Sequence, residues 1–191
     1  LQGRTSEPAG RLIGRLGGCA VLTTLALAAA LAPGGAARAA QSSVSADGRT
    51  LSLAAGERVV VRLGADGVLT LVSAVPATAA EAAPPTPGRP PKAAPAAPEP
   101  GAIALTLGAE PSQSILKIDS GLSLAFDYHA ALRREGAAAS EATSVCTVLP
   151  LLASWEHWPY AVRSITLSRF VTRKTNEVVC PEPAPSTETS L

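Results

Sequence analysis

Few side chains in this chain could do chemistry, and they fall in two places. Asp127 and His129 stand two residues apart in an alternating run, and Glu156 and His157 stand side by side between Trp155 and Trp158. On a strand, residues i and i+2 share a face about 7 Å apart at ~3.4 Å per residue. Asp127 and His129 therefore make a candidate surface metal pair, and if Glu156 and His157 converged on them the four could support acid–base chemistry. That set would make a periplasmic hydrolase or metal-dependent enzyme. The wider pattern does not support it: the two histidines fall in no HExxH spacing, and there is no GxSxG and no glycine-rich phosphate loop. Polar residues on the outward face of a half-buried strand account for Asp127 and His129 equally well. No catalytic residue, metal or cofactor is assigned.

The densest cluster runs from Cys146 to Tyr160, CTVLPLLASWEHWPY. Pro150 and Pro159 forbid a regular strand throughout, because proline has no N–H to give to a ladder. The segment reads as an aromatic, proline-framed loop, with Trp155, Glu156, His157, Trp158 and Tyr160 as candidate binding residues. Tryptophan and tyrosine dominate binding hot spots. The competing reading folds the tryptophans back as a lid on a core that is short of bulk. Aromatics are only 3% of the chain, so Val, Leu, Ile and Ala must supply most of that core.

These segments need a compartment and a scaffold. Arg11 and Arg15 precede Cys19–Ala32, an apolar run that a helix would stretch to about 21 Å, short of a ~30 Å hydrocarbon layer. Pro33, Gly34 and Gly35 break it, and Ala37-Arg38-Ala39 offers small residues for processing. Residues 1–40 thus read as a leader with a signal peptide, cleaved after Ala39 or Ala40. No transmembrane span is expected after processing, and the expected location is periplasmic or secreted. Cys19 precedes the apolar run instead of following it, which argues against a lipoprotein site. Two cysteines remain, Cys146 and Cys180. In an oxidising compartment they are expected to form a disulfide closing about 35 residues, which stabilises by roughly 4 kcal/mol in the chain-entropy model.

Arg4, Arg11, Arg15, Arg38 and Glu7 belong to the leader, so 16 basic against 15 acidic residues become 12 against 14 without it. No basic patch remains to attract nucleic acid.

Residues 41–75 read as a first β-meander. Asp47-Gly48 turns between Ser42–Ser45 and Thr50–Leu53, and Gly64-Ala65-Asp66-Gly67 turns into Val68–Ser73. Val59, Val61 and Leu63 face inward. Residues 76–101 are Pro/Ala-rich, with little to bury, and read as an extended, disordered insertion or linker. Residues 102–180 carry the rest of the β domain. Ile103, Leu105 and Leu107 alternate, as do Leu116 and Ile118. From Leu122 to Leu132 every second residue is apolar, through Leu124, Phe126, Tyr128 and Ala130. Residues 133–143 read as a loop. Ser164–Arg173 reads as a last strand in which Phe170 falls on the polar face, calling for a bulge or an edge position. Residues 181–191 read as a disordered tail.

Seven or eight short strands with Gly and Asp turns predict an all-β fold, a small antiparallel β-sandwich. The expected function is an exported, non-enzymatic domain binding a protein or cell-envelope component, with a purely structural envelope protein as a further alternative.

Overall fold

The computed structural model describes residues 42–88 and 97–182. The leader, its cleavage site, the middle of the proline-rich segment and most of the tail lie outside the described residues. In chain order the elements are β1 (Ser43–Val44), β2 (Thr50–Ala54), β3 (Glu57–Leu63), β4 (Leu69–Pro76), the one-turn helix α1 (Ala79–Ala82), β5 (Ala102–Glu110), β6 (Gln113–Ser120), β7 (Ala125–Arg134), β8 (Glu141–Thr143), β9 (Ala153–Trp158) and β10 (Val162–Arg173). They form two antiparallel five-stranded sheets, ordered β1-β2-β10-β7-β8 and β4-β3-β5-β6-β9. The fold is a β-sandwich, with ten strands among the described residues where seven or eight were expected.

Turn chemistry explains the hairpins. Gly48 takes a φ of +69°, which a residue with a Cβ resists, and the Asp47 carboxylate accepts from the Arg49 N–H at 3.0 Å. The first meander does not stay in one layer. Ala55 and Gly56 (φ +77°) carry the chain from β2 in one sheet to β3 in the other. β10 then returns to lie between β2 and β7, so the first and last parts of the domain are neighbours.

The core lies between the sheets. Leu51, Leu53, Phe126, Leu132, Ile165 and Leu167 of one face Val59, Val61, Ile103, Leu105, Leu107 and Leu116 of the other, all fully buried. Phe170 joins them through a bulge. The β10–β7 register shifts between Ser168 and Val171, Arg169 takes a left-handed φ of +54°, and the extra residue turns Phe170 inward. There its ring stacks with Tyr128 at 6.1 Å and lies 6.2 Å from Phe126.

Four expectations need correction. Residues 133–143 are not all loop: β7 runs to Arg134, and Glu141–Thr143 pairs with it as β8. Leu124 lies outside the strand and is exposed, because the alternation of Leu122–Leu132 outruns the ladder by three residues. The segment expected to be extended from Pro76 holds α1, where Thr78 and Glu81 form a capping box and Ala82 is buried. The small residues of β5 admit it: a Cβ on Gly108 would lie 2.8 Å from the Ala79 Cα. Last, the aromatic segment Cys146–Tyr160 is not all loop, for it holds β9.

Candidate functional site

The segment expected to be an aromatic loop is an edge strand. Pro150 and Pro159 do not interrupt it; they bracket it, and Ala153–Trp158 fits between them as β9, pairing with β6 from Asp119↔Ala153 to Ser114↔Trp158. Its other edge has no partner strand among the described residues. Period 2 then sorts the candidates. Ser154, Glu156 and Trp158 stand opposite Ile118, Leu116 and Ser114, which line the inner face, while Trp155 and His157 turn to the outer face.

Trp158 is core. It is 6% exposed, and its indole N–H donates to the Thr143 hydroxyl at 2.9 Å, linking β9 to β8 across the sandwich. Tyr160 packs on the core rim with the Arg134 guanidinium 4.0 Å above its ring. Glu156 points between the sheets, where its Oε1 accepts from the Cys146 backbone N–H at 2.9 Å and lies 3.5 Å from the Tyr128 hydroxyl. Burial pushes its carboxyl above the ordinary range, against the lowering effect of the Cys146 N–H. Burial, and then the Glu156 charge, push the Tyr128 hydroxyl well up. Glu156 is thus a half-buried link between β9 and the segment that carries the disulfide.

The disulfide joins Cys146 to Cys180. It ties the C-terminal strap, residues 174–182, to the crossing between β8 and β9. The Thr147 N–H donates to the Val179 carbonyl at 2.9 Å, and the Ser144 hydroxyl to the Pro181 carbonyl at 2.7 Å.

What remains outward on β9 is Trp155 and His157. His157 is exposed, with Nε2 3.3 Å from the Gln113 amide oxygen. Trp155 is half-buried beside Lys117, its register partner on β6, which is ion-paired with Asp119 at 3.0 Å. The Trp155 indole N–H is buried, with no acceptor among the described residues.

The four residues weighed for acid–base chemistry are not brought together. Asp127 and His129 lie on the outer face of the β7 sheet, Glu156 between the sheets, and His157 on the outer face of the β9 sheet. Asp127 accepts from the Thr147 hydroxyl at 2.6 Å and pairs with Arg173 at 3.4 Å. No group of three His, Cys, Asp or Glu side chains placed to hold a metal occurs among the described residues. No helix there is long and apolar enough to cross a membrane. Sequence reasoning missed Arg134, Thr143 and Tyr128 as neighbours of the aromatic segment. These contacts span 15 to 28 residues and carry no local signal.

Comparison with protein-family models, with curated proteins and with solved structures finds no match, so the geometry of β9 and its neighbours is what speaks for function.

Proposed function

We propose that this chain is an exported, non-enzymatic β-sandwich of the periplasm or extracellular space. It binds a protein or cell-envelope component along the open edge of β9, at the outer-face pair Trp155 and His157. The observation that carries this reading is Trp155. Of the six aromatic residues, Phe126, Tyr128, Trp158 and Phe170 are buried in the core and Tyr160 packs against it under Arg134. Only Trp155 is spent on an outer face, on an edge strand, with its indole N–H unanswered. A large, half-buried ring beside an unpaired strand edge suits an extended partner that adds main-chain bonds to β9 and packs on the exposed part of the indole. Export is supported by the leader and by the Cys146–Cys180 bridge.

The test is retention in the envelope fraction of the producing cell. Wild type is expected to co-fractionate with an envelope component, Trp155→Lys to be released, and Trp155→Phe to be partly retained. All three should remain folded, with urea midpoints within about 0.5 M of one another. Unchanged retention of Trp155→Lys would remove the β9 edge as the binding surface.

A further inference from the structure

A second surface lies on the opposite sheet. The C-terminal strap, held by the disulfide, borders a half-open cleft of about 340 Å³ against the outer face of β7 and β10. That volume falls at the lower end of the range for small-ligand sites, which combine apolar walls with a few convergent polar groups. Val145, Val171 and Val179 supply apolar wall; Asp127, His129 and Arg169 supply the polar groups.

The charges in the cleft are not balanced. Asp127 is already engaged by Arg173 and by the Thr147 hydroxyl. Arg169 is exposed and has no ion-pair or hydrogen-bond partner among the described residues. His129, exposed on the same face, adds no negative charge. The cleft therefore presents one unanswered guanidinium beside three valines.

Arg169 is also an expensive choice for its position. The bulge that buries Phe170 needs a left-handed residue, and Arg169 holds a φ of +54°. Glycine takes that conformation without the Cβ penalty that arginine bears. The bulge accounts for the conformation; it does not account for the guanidinium that this position places at the cleft. Strain of this kind gathers at ligand sites.

We propose that this cleft binds an aliphatic carboxylate, with Arg169 as its counter-ion and Val145, Val171 and Val179 around its apolar body. Guanidinium and carboxylate form paired, charge-assisted hydrogen bonds, whereas an uncharged ligand of the same shape leaves Arg169 unanswered. The site is separate from β9, on the outer face of the other sheet, and stands whether or not the β9 edge binds a partner.

The experiment is calorimetric titration of the full disulfide-bonded protein with octanoate, octan-1-ol, N-acetyl-Ala-Leu-Val and the C-terminal amide of that peptide. At least one carboxylate is expected to bind with a Kd of about 1 mM or tighter, and its uncharged counterpart roughly tenfold more weakly. Arg169→Gly, whose backbone suits the bulge, should keep the wild-type urea midpoint or raise it while binding the carboxylate at least about tenfold more weakly. Arg169→Asn, which also tolerates a left-handed φ, is the second variant if the glycine does not fold. Tighter octanoate points to a lipid-type acid, and a tighter peptide acid points to a chain terminus. The proposal is overturned if neither carboxylate binds by ~10 mM, if the acids bind no better than the alcohol and amide, or if the Arg169 variants bind like wild type.

Discussion

Reducing the Cys146–Cys180 bridge removes the covalent tie between the strap and the β8–β9 crossing, and its cost can be worked out from the chain. The cysteines are 34 residues apart, and freeing a loop of that length returns to the unfolded chain an entropy worth about 4 kcal/mol at room temperature. The hydrogen bonds across the bridge, from Thr147 to Val179 and from Ser144 to Pro181, add little, because water replaces those lost at an exposed strap. For a domain of this size the dependence of stability on urea is roughly 2 kcal/mol per molar, so the unfolding midpoint should fall by about 2 M. Cys146→Ser/Cys180→Ser is the right comparison, since a single substitution leaves a free thiol. The assay is equilibrium urea unfolding of the double variant, and of wild type with and without reductant. A midpoint shift under about 0.5 M would mean that the enclosed strands β9 and β10 are held in the unfolded ensemble by something other than the bridge.

Three further outcomes follow from the packing. Trp158→Ala should cost about 3–5 kcal/mol in urea unfolding, as a large core truncation does, while Trp155→Ala should stay within about 1 kcal/mol; equal costs would put both rings in the core. Gly108→Ala should force α1 off β5, because the new methyl would lie 2.9 Å from the Ala82 Cβ; faster hydrogen exchange at the Ala83 N–H, now bonded to the Ala79 carbonyl at 3.1 Å, reads this directly. Glu156 sets a pH dependence. Burial holds its carboxyl above its ordinary 4.5, so the folded protein keeps a proton that the unfolded chain has released. Its contribution is full below 4.5 and is lost as pH rises through the raised folded value. Glu156→Gln should therefore flatten the fall in urea midpoint between 4.5 and that raised value, and parallel curves for the two proteins across this window would show that Glu156 is not the group responsible.

Alternation made much of the fold legible. Phe126, Tyr128, Ala130 and Leu132 are buried as their period of two demands, and so are Ile103, Leu105, Leu107, Leu116 and Ile118. Phe170 breaks the period of its own strand, which called for a bulge or an edge position, and the structure has the bulge, between Ser168 and Val171. Where the pattern ran out, so did the reading. Pro150 and Pro159 looked like interruptions, yet the stretch between them holds a six-residue edge strand that includes neither proline. The outer face of β5 and β6 reads as polar and small, through Ala104, Thr106, Lys117 and Asp119, and nothing local reveals that it is covered: Lys117 is 8% exposed. The division of the first meander between two sheets depends on a two-residue crossing at Gly56, which resembles any other turn signal. The candidate site was legible as composition, since both tryptophans fall in one segment. It was not legible as geometry: which of Trp155 and Trp158 is core follows from the register of β9 on β6, a pairing about 40 residues apart.

The β9 edge is most directly tested by a photo-crosslinking residue at position 157, with position 70 as the control. Thr70 is exposed on β4, at the far edge of the same sheet. In the intact envelope of the producing cell, the account predicts one discrete adduct from position 157 and none from position 70. Adducts of equal yield from both positions, or none from 157, would contradict it.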